Sequence, residues 1–438
     1  MSFYFYFFRP IDDLVLQMKA MDIDKVIHFP FPTPPDTQQL FAAERRLLLL
    51  SAIEPPPRNV RLARKIFIKQ ISGLFENNFY VFFVESKTWV SKITPLGRAM
   101  AAYPLSPRYA KMLLLSQQHD LLQLSITLVA ALSVQELVLD QASGANKGET
   151  YKTWIAQRRS WAGAGQSLLL GDPMVLLRAV GAAEYSGDIE AFCLAHGIRS
   201  KALREVRKLR VQLTNETNMI LPSGTPQVVV DPRMPPPTEV QAKLLRQILV
   251  AGLPDQVARK IAAHEIKEDE DRRKFKYAYR CPNMEDPVFL HPSSILRHTN
   301  PEWIVYQDIY EHNGKIFLRG ISAIDPEWLP IFSPTQCTFS SPLELPAPRY
   351  DSELGRVVCH MNVTFGRSGW PLPVMELEYP PGIDRFKFFA QFFLSGAVCA
   401  PLAKYNFKRI FNCLSTINKC LISSQVHQCA LVNPIKHG

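Results

Sequence analysis

Proline clusters divide this chain and limit where its helices and strands can run. Proline lacks the amide hydrogen that helices and sheets use for hydrogen bonds, and it restricts the backbone conformation of the residue before it. The run HFPFPTPPD at residues 28–36 therefore predicts an extended connector, and PRMPPP at residues 232–237 closes a second connector that begins at residue 214. The chain of 438 residues has room for several domains, at about 100–200 residues each.

Outside these connectors, up to residue 266, the apolar residues recur mostly at helical spacing. The helical patterns lie at residues 37–50, 109–116, 121–138, 188–196, 199–213 and, as a pair bent at Pro254, 238–266. TPLGRAM at residues 94–100 predicts a helix that Thr94 caps, with Pro95 in the first turn, where no amide is needed. Gly97 inside this helix predicts a close approach by another part of the chain.

The period of the pattern changes after the charged run at residues 267–276. Strand-like segments follow at residues 288–290, 303–310, 315–323 and 357–365, before a helical pattern returns at 383–394. About five short strands within roughly 90 residues suit a small barrel, of which the OB-fold is the commonest nucleic-acid module. The sequence therefore predicts an α+β multidomain fold.

Composition narrows the class of protein. Hydrophobic residues make up 47% of the chain, which excludes disorder as its main state. Lys and Arg number 50 against 40 Asp and Glu, a net charge of +10. This balance favours a polyanionic partner only slightly, because many soluble proteins are mildly basic.

Several other classes are not expected. None of the eight cysteines forms a C-x-x-C pair, and Cys413, Cys420 and Cys429 match no common metal site, so free thiols are expected. The start MSFYFYFF lacks the basic region and cleavage site of a signal peptide. Polar residues interrupt every apolar run before about 18–20 positions, so no membrane span is expected.

Three strings resemble the accessory region of DEAH-box RNA helicases. ITPLGRAMAAYPLSPRYAKMLL at residues 93–114 is similar to the family's junction of winged helix and ratchet, and DPVFLHPSSILRHTNPEWIVYQDI at 286–309 to its OB-fold strand and loop. RPIDDLVLQMKAMDIDKVIHFPFPTPP at 9–35 resembles the end of the second RecA-like domain. The strings at 159–185 and 369–396 resemble the kurz-type ribosome-biogenesis branch.

The resemblance implies an order of domains: a winged helix and a helical bundle (the ratchet), then an OB-fold β-barrel and a small mixed C-terminal segment. The implied bounds are 1–36 for a remnant of the second RecA-like domain with its linker, and 37–104 for a winged helix with an insertion at 66–90. The helical bundle would occupy 105–266 and the OB-fold 280–375. The C-terminal segment would occupy 376–438 and diverge from the family after about residue 403.

The resemblance also implies a function. The chain would be the RNA-binding accessory half of an ATP-dependent helicase in small-subunit ribosome biogenesis and rRNA processing, in the nucleus or nucleolus. Its implied partners are pre-rRNA or snoRNA, the RecA-like domains and pre-ribosomal activator proteins. The intact family uses ATP and Mg²⁺, but this chain is expected to hold no cofactor. The alternative is a non-catalytic module that docks activators or pre-ribosomal proteins.

Two groups of residues are candidates for RNA contact. Arg204, Arg207 and Lys208 share one face of a predicted helix, although such a charged stripe is often merely solvated. The predicted barrel carries the second group, in which cations and hydroxyls accompany aromatic rings suited to base stacking. Its candidate residues are Arg297, Lys315, Arg319, Ser293 and Ser294. The two groups are expected to face one groove.

The same barrel residues have structural interpretations. Tyr306 and Phe317 are expected in the barrel core, and Trp303 and Trp328 as packing residues. Ser293 and Ser294 either cap a turn or donate to a phosphate. A His–Ser catalytic pair at His291 is disfavoured. A catalytic pair of acids at Glu376 and Glu378 is also disfavoured, and these residues are expected to lie on a solvated face of a strand.

The chain is expected to show no RNA-stimulated ATP turnover. It contains neither the G-x-x-x-x-G-K-[ST] phosphate loop nor the Asp-Glu-Ala-His motif that supplies a Mg²⁺ ligand. A phosphate-release assay on the purified chain, with and without RNA, measures this directly. Turnover that survives repurification and increases with RNA would contradict the prediction.

Overall fold

A computed structural model describes residues 11–55, 91–139, 147–222, 224–266, 273 and 275–399. These residues belong to two compact units, the first ending at Gln336 and the second beginning at Cys337. The predictions for residues 66–90, for the tail after about 403 and for its three cysteines lie outside the described residues, as does most of the charged run at 267–276.

Helices make up most of the first unit before its sheet. They are α1 (Asp12–Ala20), α2 (Thr37–Leu49), α3 (Pro95–Ala101), α4 (Pro107–Gln117), α5 (Leu122–Ser133), α6 (Lys147–Ala162), α7 (Gly165–Leu170), α8 (Asp172–Tyr185), α9 (Ile189–His196), α10 (Ser200–Ile220) and α11 (Glu239–Gly252), with α12 (Leu329–Phe332) after the sheet. Among the described residues, no helix combines the length and apolar character needed to cross a bilayer.

The helix at residues 94–100 follows the predicted capping pattern. The Thr94 hydroxyl accepts a hydrogen bond from the Gly97 amide at 2.9 Å, and α3 begins at Pro95. A Cβ atom on Gly97 would lie 2.0 Å from the Ala52 carbonyl oxygen, so the predicted close approach is confirmed. Because residues 56–90 are outside the described ranges, the winged helix stays a prediction.

The helical bundle is centred on α5, which is buried along almost its whole length. It packs against α4, α8 and α10, while α11 packs against α4 and α7. The pattern at residues 121–138 predicted a longer helix, but α5 ends at Ser133 because Val134 adopts an extended conformation. The apolar run continues past the helix because Leu137 is buried in the following turn.

The predicted helix pair at residues 238–266 is wrong in its second half. The helix α11 ends at Gly252, and after Pro254 the chain enters strand β1 (Val257–Lys260). Four residues are too few for helical and strand spacing to be distinguished by pattern alone. In the sheet, β1 lies between β2 (Ala278–Arg280) and β4 (Trp303–Val305), which are both distant from it in sequence.

Besides β1, β2 and β4, the first unit contains the strands β3 (Val288–Leu290), β5 (Asp308–His312), β6 (Lys315–Arg319) and β7 (Ser322–Ala323). The seven strands form one sheet in the order β5-β6-β3-β2-β1-β4-β7. All neighbours are antiparallel except β3 and β6, which are parallel. The sheet begins before the predicted OB-fold boundary at 280 and ends well before 375. Trp303, Tyr306 and Trp328 are buried, as expected.

The second unit consists of two small sheets and one helix. The strands are β8 (Cys337–Phe339), β9 (Arg349–Asp351), β10 (Arg356–Met361), β11 (Val363–Phe365), β12 (Trp370–Pro371) and β13 (Met375–Glu378), and the helix is α13 (Ile383–Leu394). They pair in the orders β13-β10-β9 and β12-β11-β8. Glu376 and Glu378 form exposed ion pairs with Arg349 and Arg385, which confirms the solvated face.

The substitution Gly97→Ala is expected to destabilise the protein by about 1–3 kcal/mol, because the added methyl group would overlap backbone that cannot move aside freely. Urea unfolding measures the change. Gly181→Ala in α8 is the matched control: nothing lies within 4 Å of its Cβ position. This control should be more stable by up to about 1 kcal/mol, since alanine favours a helix. Equal effects at both glycines would contradict the steric explanation.

Candidate nucleic-acid interface

Aromatic side chains form a cluster on the outer face of β3, β5 and β6. Phe317 of β6 is paired in register with Phe289 of β3 and with Tyr310 of β5. The ring centroids of Phe289 and Tyr310 each lie 6.3 Å from that of Phe317. The three side chains are half-buried. Part of each of these side chains is therefore exposed to solvent.

The expectation that Phe317 belongs to the barrel core is wrong. Side chains alternate between the two faces of a strand, and its neighbour Leu318 is the buried one, with no exposed surface. The sequence KIFLR places an apolar residue at three consecutive positions. The pattern therefore identifies the strand but leaves open which face points inward.

Cations lie over these rings. The Arg319 guanidinium carbon is 4.2 Å from the centroid of the Tyr310 ring, and the Lys315 Nζ atom is 5.7 Å from that of Phe289. The His312 ring stacks on the Tyr310 ring, with the two centroids 5.8 Å apart. Aromatic faces beside cations can stack bases and pair with phosphates. We call Phe289, Tyr310, Phe317, Lys315 and Arg319 the aromatic face.

Arg297 belongs to a separate cluster around Tyr277. Its guanidinium carbon lies 4.3 Å from the Tyr277 ring centroid, and the Lys276 Nζ atom lies 5.3 Å from it. Hydrogen bonding to Lys276, together with the nearby Arg297 charge, lowers the pKa of the Tyr277 hydroxyl. Sequence reasoning selected Arg297 for its charge but missed Tyr277, whose aromatic ring in the string KYAYR was the available signal.

The structure assigns different roles to the two neighbouring serines. Ser294 is buried, and its hydroxyl donates to the Asp172 carboxylate at 3.0 Å, so a phosphate contact by Ser294 is not supported. The Ser293 hydroxyl lies 2.7 Å from the His291 Nδ1 atom within the same turn. His291 also contacts the Phe317 ring edge-on, so the HPSS string packs against the aromatic rings.

Asp172 at the start of α8 receives three donors from the barrel. Besides Ser294, the amides of Ile295 and Ile321 donate to its carboxylate at 3.2 and 3.0 Å. Burial raises the pKa of Asp172 to about 6, and the three hydrogen bonds oppose that rise. Sequence reasoning missed Asp172. A Gly-Asp-Pro string at a helix start was its only local signal.

The three candidate RNA-contact cations of α10 are not equivalent. Arg207 donates to both carboxylate oxygens of Glu184 in α8, at 3.0 and 2.6 Å, and the buried Arg210 donates to the same carboxylate at 3.0 Å. Arg207 therefore holds α10 against α8. Arg204 is exposed and paired with the exposed Glu190, and Lys208 is exposed. The predicted groove shared with the barrel cations stays a prediction.

Two family models match the chain within this architecture. The helicase associated domain (HA2), ratchet-like, matches residues 106–176, and the oligonucleotide/oligosaccharide-binding (OB)-fold matches residues 245–335. The second range includes the whole seven-stranded sheet. The probable ATP-dependent RNA helicase kurz of Drosophila melanogaster is 44% identical over 96% of the chain, and DHX37 of Homo sapiens is 46% identical over 91%.

The chain is a homologue of the C-terminal region of kurz-type DEAH-box RNA helicases. It spans about a third of the length of the curated relatives it matches, 35% of kurz and 33% of DHX37. The putative ATP-dependent RNA helicase rha-2 of Caenorhabditis elegans is 34% identical over 91% of the chain. The expected succession of helical ratchet and OB-fold is confirmed.

The part of this helicase homologue that the structure describes contains no group of three histidine, cysteine or acidic side chains arranged to hold a metal ion. Its described cysteines are free thiols, and Cys193, Cys281 and Cys359 are buried. Burial raises the pKa of Cys281 to about 11. The candidate interface itself presents cations, aromatic rings and hydroxyl groups.

In this helicase homologue, Ser294→Ala is expected to lower the free energy of unfolding by about 1.5–3 kcal/mol, because it removes a hydrogen bond to a charged group. RNA affinity of the folded variant should not change. Ser293→Ala is the matched control, with an expected cost of about 0.5–1.5 kcal/mol for a neutral bond. Chemical denaturation and RNA titration measure the two quantities. Loss of RNA affinity in a fully folded Ser294→Ala variant would contradict this structural role and indicate that Ser294 contacts RNA.

Proposed function

We propose that this chain is the RNA-binding accessory part of an ATP-dependent DEAH-box helicase that acts in small-subunit ribosome assembly and rRNA processing. The ratchet-like and OB-fold matches, and relatives named as RNA helicases, support the RNA-binding part of this proposal. The kurz-type strings at residues 159–185 and 369–396 support the ribosomal part. Pre-rRNA or snoRNA would be the ligand, and the nucleolus the place of action.

The aromatic face is the observation that carries the proposal. Stacking of a base on an aromatic side chain contributes about 1–3 kcal/mol, whatever the base. Three partly exposed rings, with Lys315 and Arg319 beside them, can therefore hold unpaired nucleotides by their bases and phosphates together. A duplex keeps its bases stacked inside, so this face favours single strands.

Other cations would extend the RNA contact. Arg297 stands beside Tyr277, and Arg204 and Lys208 are exposed on α10. Arg207 contributes less, because Glu184 already engages its guanidinium at two atoms. In the complete helicase, RecA-like domains would supply ATP and Mg²⁺ chemistry, and pre-ribosomal activator proteins would regulate it.

Single-residue variants should separate stacking from charge. Tyr310→Ala and Phe317→Ala should each weaken binding to single-stranded RNA by about 1–3 kcal/mol, with an unchanged dependence on salt. Lys315→Ala should weaken binding and flatten the log–log salt slope by about 0.7, the value for one phosphate contact. Fluorescence anisotropy with an oligouridine longer than about 16 nucleotides, the upper site size of one OB-fold, measures both effects.

Lys243→Ala is the matched control, since Lys243 is an exposed lysine on α11. It should change neither the affinity nor the slope. Folded variants that all bind RNA as the parent does would contradict a role for the aromatic face. A parent chain with no RNA affinity at low salt would contradict the proposed function and favour the protein-docking alternative.

A further inference from the structure

A group of cations lies where α6 of the helical bundle packs against the single helical turn Ile295–Arg297 of the barrel. His298 follows that turn, and its Nε2 atom contacts a guanidinium nitrogen of Arg159 in α6. Both side chains are exposed. A guanidinium nitrogen can only donate, so the imidazole accepts in its neutral form. The contact therefore positions Arg159 but leaves its charge uncompensated.

Arg297 connects this contact to the cluster around Tyr277. The side chains of Arg297 and Lys276 lie over the Tyr277 ring, and both donate hydrogen bonds to its hydroxyl group. A hydroxyl oxygen can hold two cations in place, but it does not neutralise them. We call the five residues of this group the seam cluster. They are Arg159, Lys276, Tyr277, Arg297 and His298.

The charge of the seam cluster is uncompensated within the described part of the chain. None of its two arginines and one lysine forms an ion pair with a carboxylate there. Lys276 also lines an open groove of about 780 Å³. The acids near this groove, Glu265 and Glu302, lie 3.1 and 3.9 Å from another cation, Arg259. A surface with charges of one sign attracts an anion of the opposite sign.

Tyr277 and the aromatic face belong to different sides of the sheet. The Leu290 amide donates to the Tyr277 carbonyl, so these two residues are cross-strand neighbours and share a side. Leu290 has no exposed surface, whereas the adjacent Phe289 belongs to the aromatic face, because successive side chains of a strand point to opposite sides. A ligand can therefore contact the seam cluster without contacting the aromatic face.

We propose that the seam cluster is a second RNA site, which binds backbone phosphates of a single strand and draws on the helical bundle and the barrel together. Arginine and lysine pair with phosphate oxygens, and a guanidinium can do so through two nitrogens. The cluster offers N–H donors rather than a row of ring faces, so it binds the backbone and not the bases. This inference rests on the proposed RNA-binding function and adds the contribution of α6 to it.

Two strands of equal length separate phosphate contact from base contact. One is an oligouridine longer than about 16 nucleotides, and the other is an abasic ribose-phosphate strand. Fluorescence anisotropy of the full chain at a series of salt concentrations gives the affinity and the salt slope for each. Arg159→Gln and Lys276→Gln should each weaken binding to both strands and flatten the log–log slope by about 0.7, and the double variant by about 1.4.

Two variants outside the seam cluster serve as controls. Tyr310→Ala should weaken binding to oligouridine alone, because the abasic strand offers no base to stack on the ring. Lys243→Gln, at an exposed lysine of α11, should change neither the affinity nor the slope. Arg159 and Lys276 are exposed, and surface substitutions usually cost little stability, so folded variants are expected by circular dichroism.

The possible results distinguish this site from the proposed function. Parental slopes in folded Arg159→Gln and Lys276→Gln variants would overturn the seam site, while a loss of affinity in Tyr310→Ala would leave the proposed function standing. Weakening confined to oligouridine would show a contact with bases and would overturn the phosphate assignment. A parent chain that binds neither strand at low salt would overturn both the seam site and the proposed function.

Discussion

The carboxylate of Asp172 joins the helical bundle to the barrel through three hydrogen bonds. It stands at the start of α8, and its donors come from the segments that follow β3 and β6. Gly171 makes this junction possible, because its φ is +75° and a Cβ atom there would lie 2.2 Å from the Ile321 carbonyl oxygen. A side chain at this position would push the two parts of the first unit apart.

Arg246 reinforces the same junction from α11. Its guanidinium is almost fully buried, donates to the Ala323 carbonyl at 2.8 Å, pairs with Asp325 at 3.0 Å and lies over the Trp328 ring. Burial lowers the pKa of this arginine, and the Asp325 charge opposes that effect. The Asp325 side chain is 46% exposed, so its loss should cost less than the roughly 3–5 kcal/mol typical of a fully buried ion pair. The segments that follow β3 and β6, two strands of the aromatic face, are thus attached to the helical bundle through Asp172, which helps to hold the rings and cations in place.

The features that the sequence predicted correctly are mainly local ones. The Thr94 cap, Pro95 and the constraint on Gly97 are properties of a few adjacent residues. The order of ratchet and OB-fold came instead from strings that resemble a family. What was missed depends on residues far apart in the chain. Arg207 could not be recognised as structural, because its partner Glu184 lies 23 positions away on another helix.

Burial was equally hard to predict where a strand is short. The inward face of β6 is decided by its packing, since KIFLR is apolar at consecutive positions. Ser294 illustrates the same limit: its sequence neighbours suggest an exposed loop, but Asp172 in another part of the fold draws it inward. The segment at β1 forms a strand because it pairs with β2 on one side and β4 on the other, and both of these strands come later in the chain.

The Asp172 junction has a consequence for the order of folding during synthesis. The Ile321 amide lies 149 residues after the carboxylate that accepts its hydrogen bond. At about 5–20 residues per second, the start of α8 leaves the ribosome roughly 7–30 s before that donor does. The parallel pairing of β6 with β3 must wait for nearly the same segment. A nascent chain can therefore complete helices α1 to α11 before the barrel segments to which they attach have been synthesised.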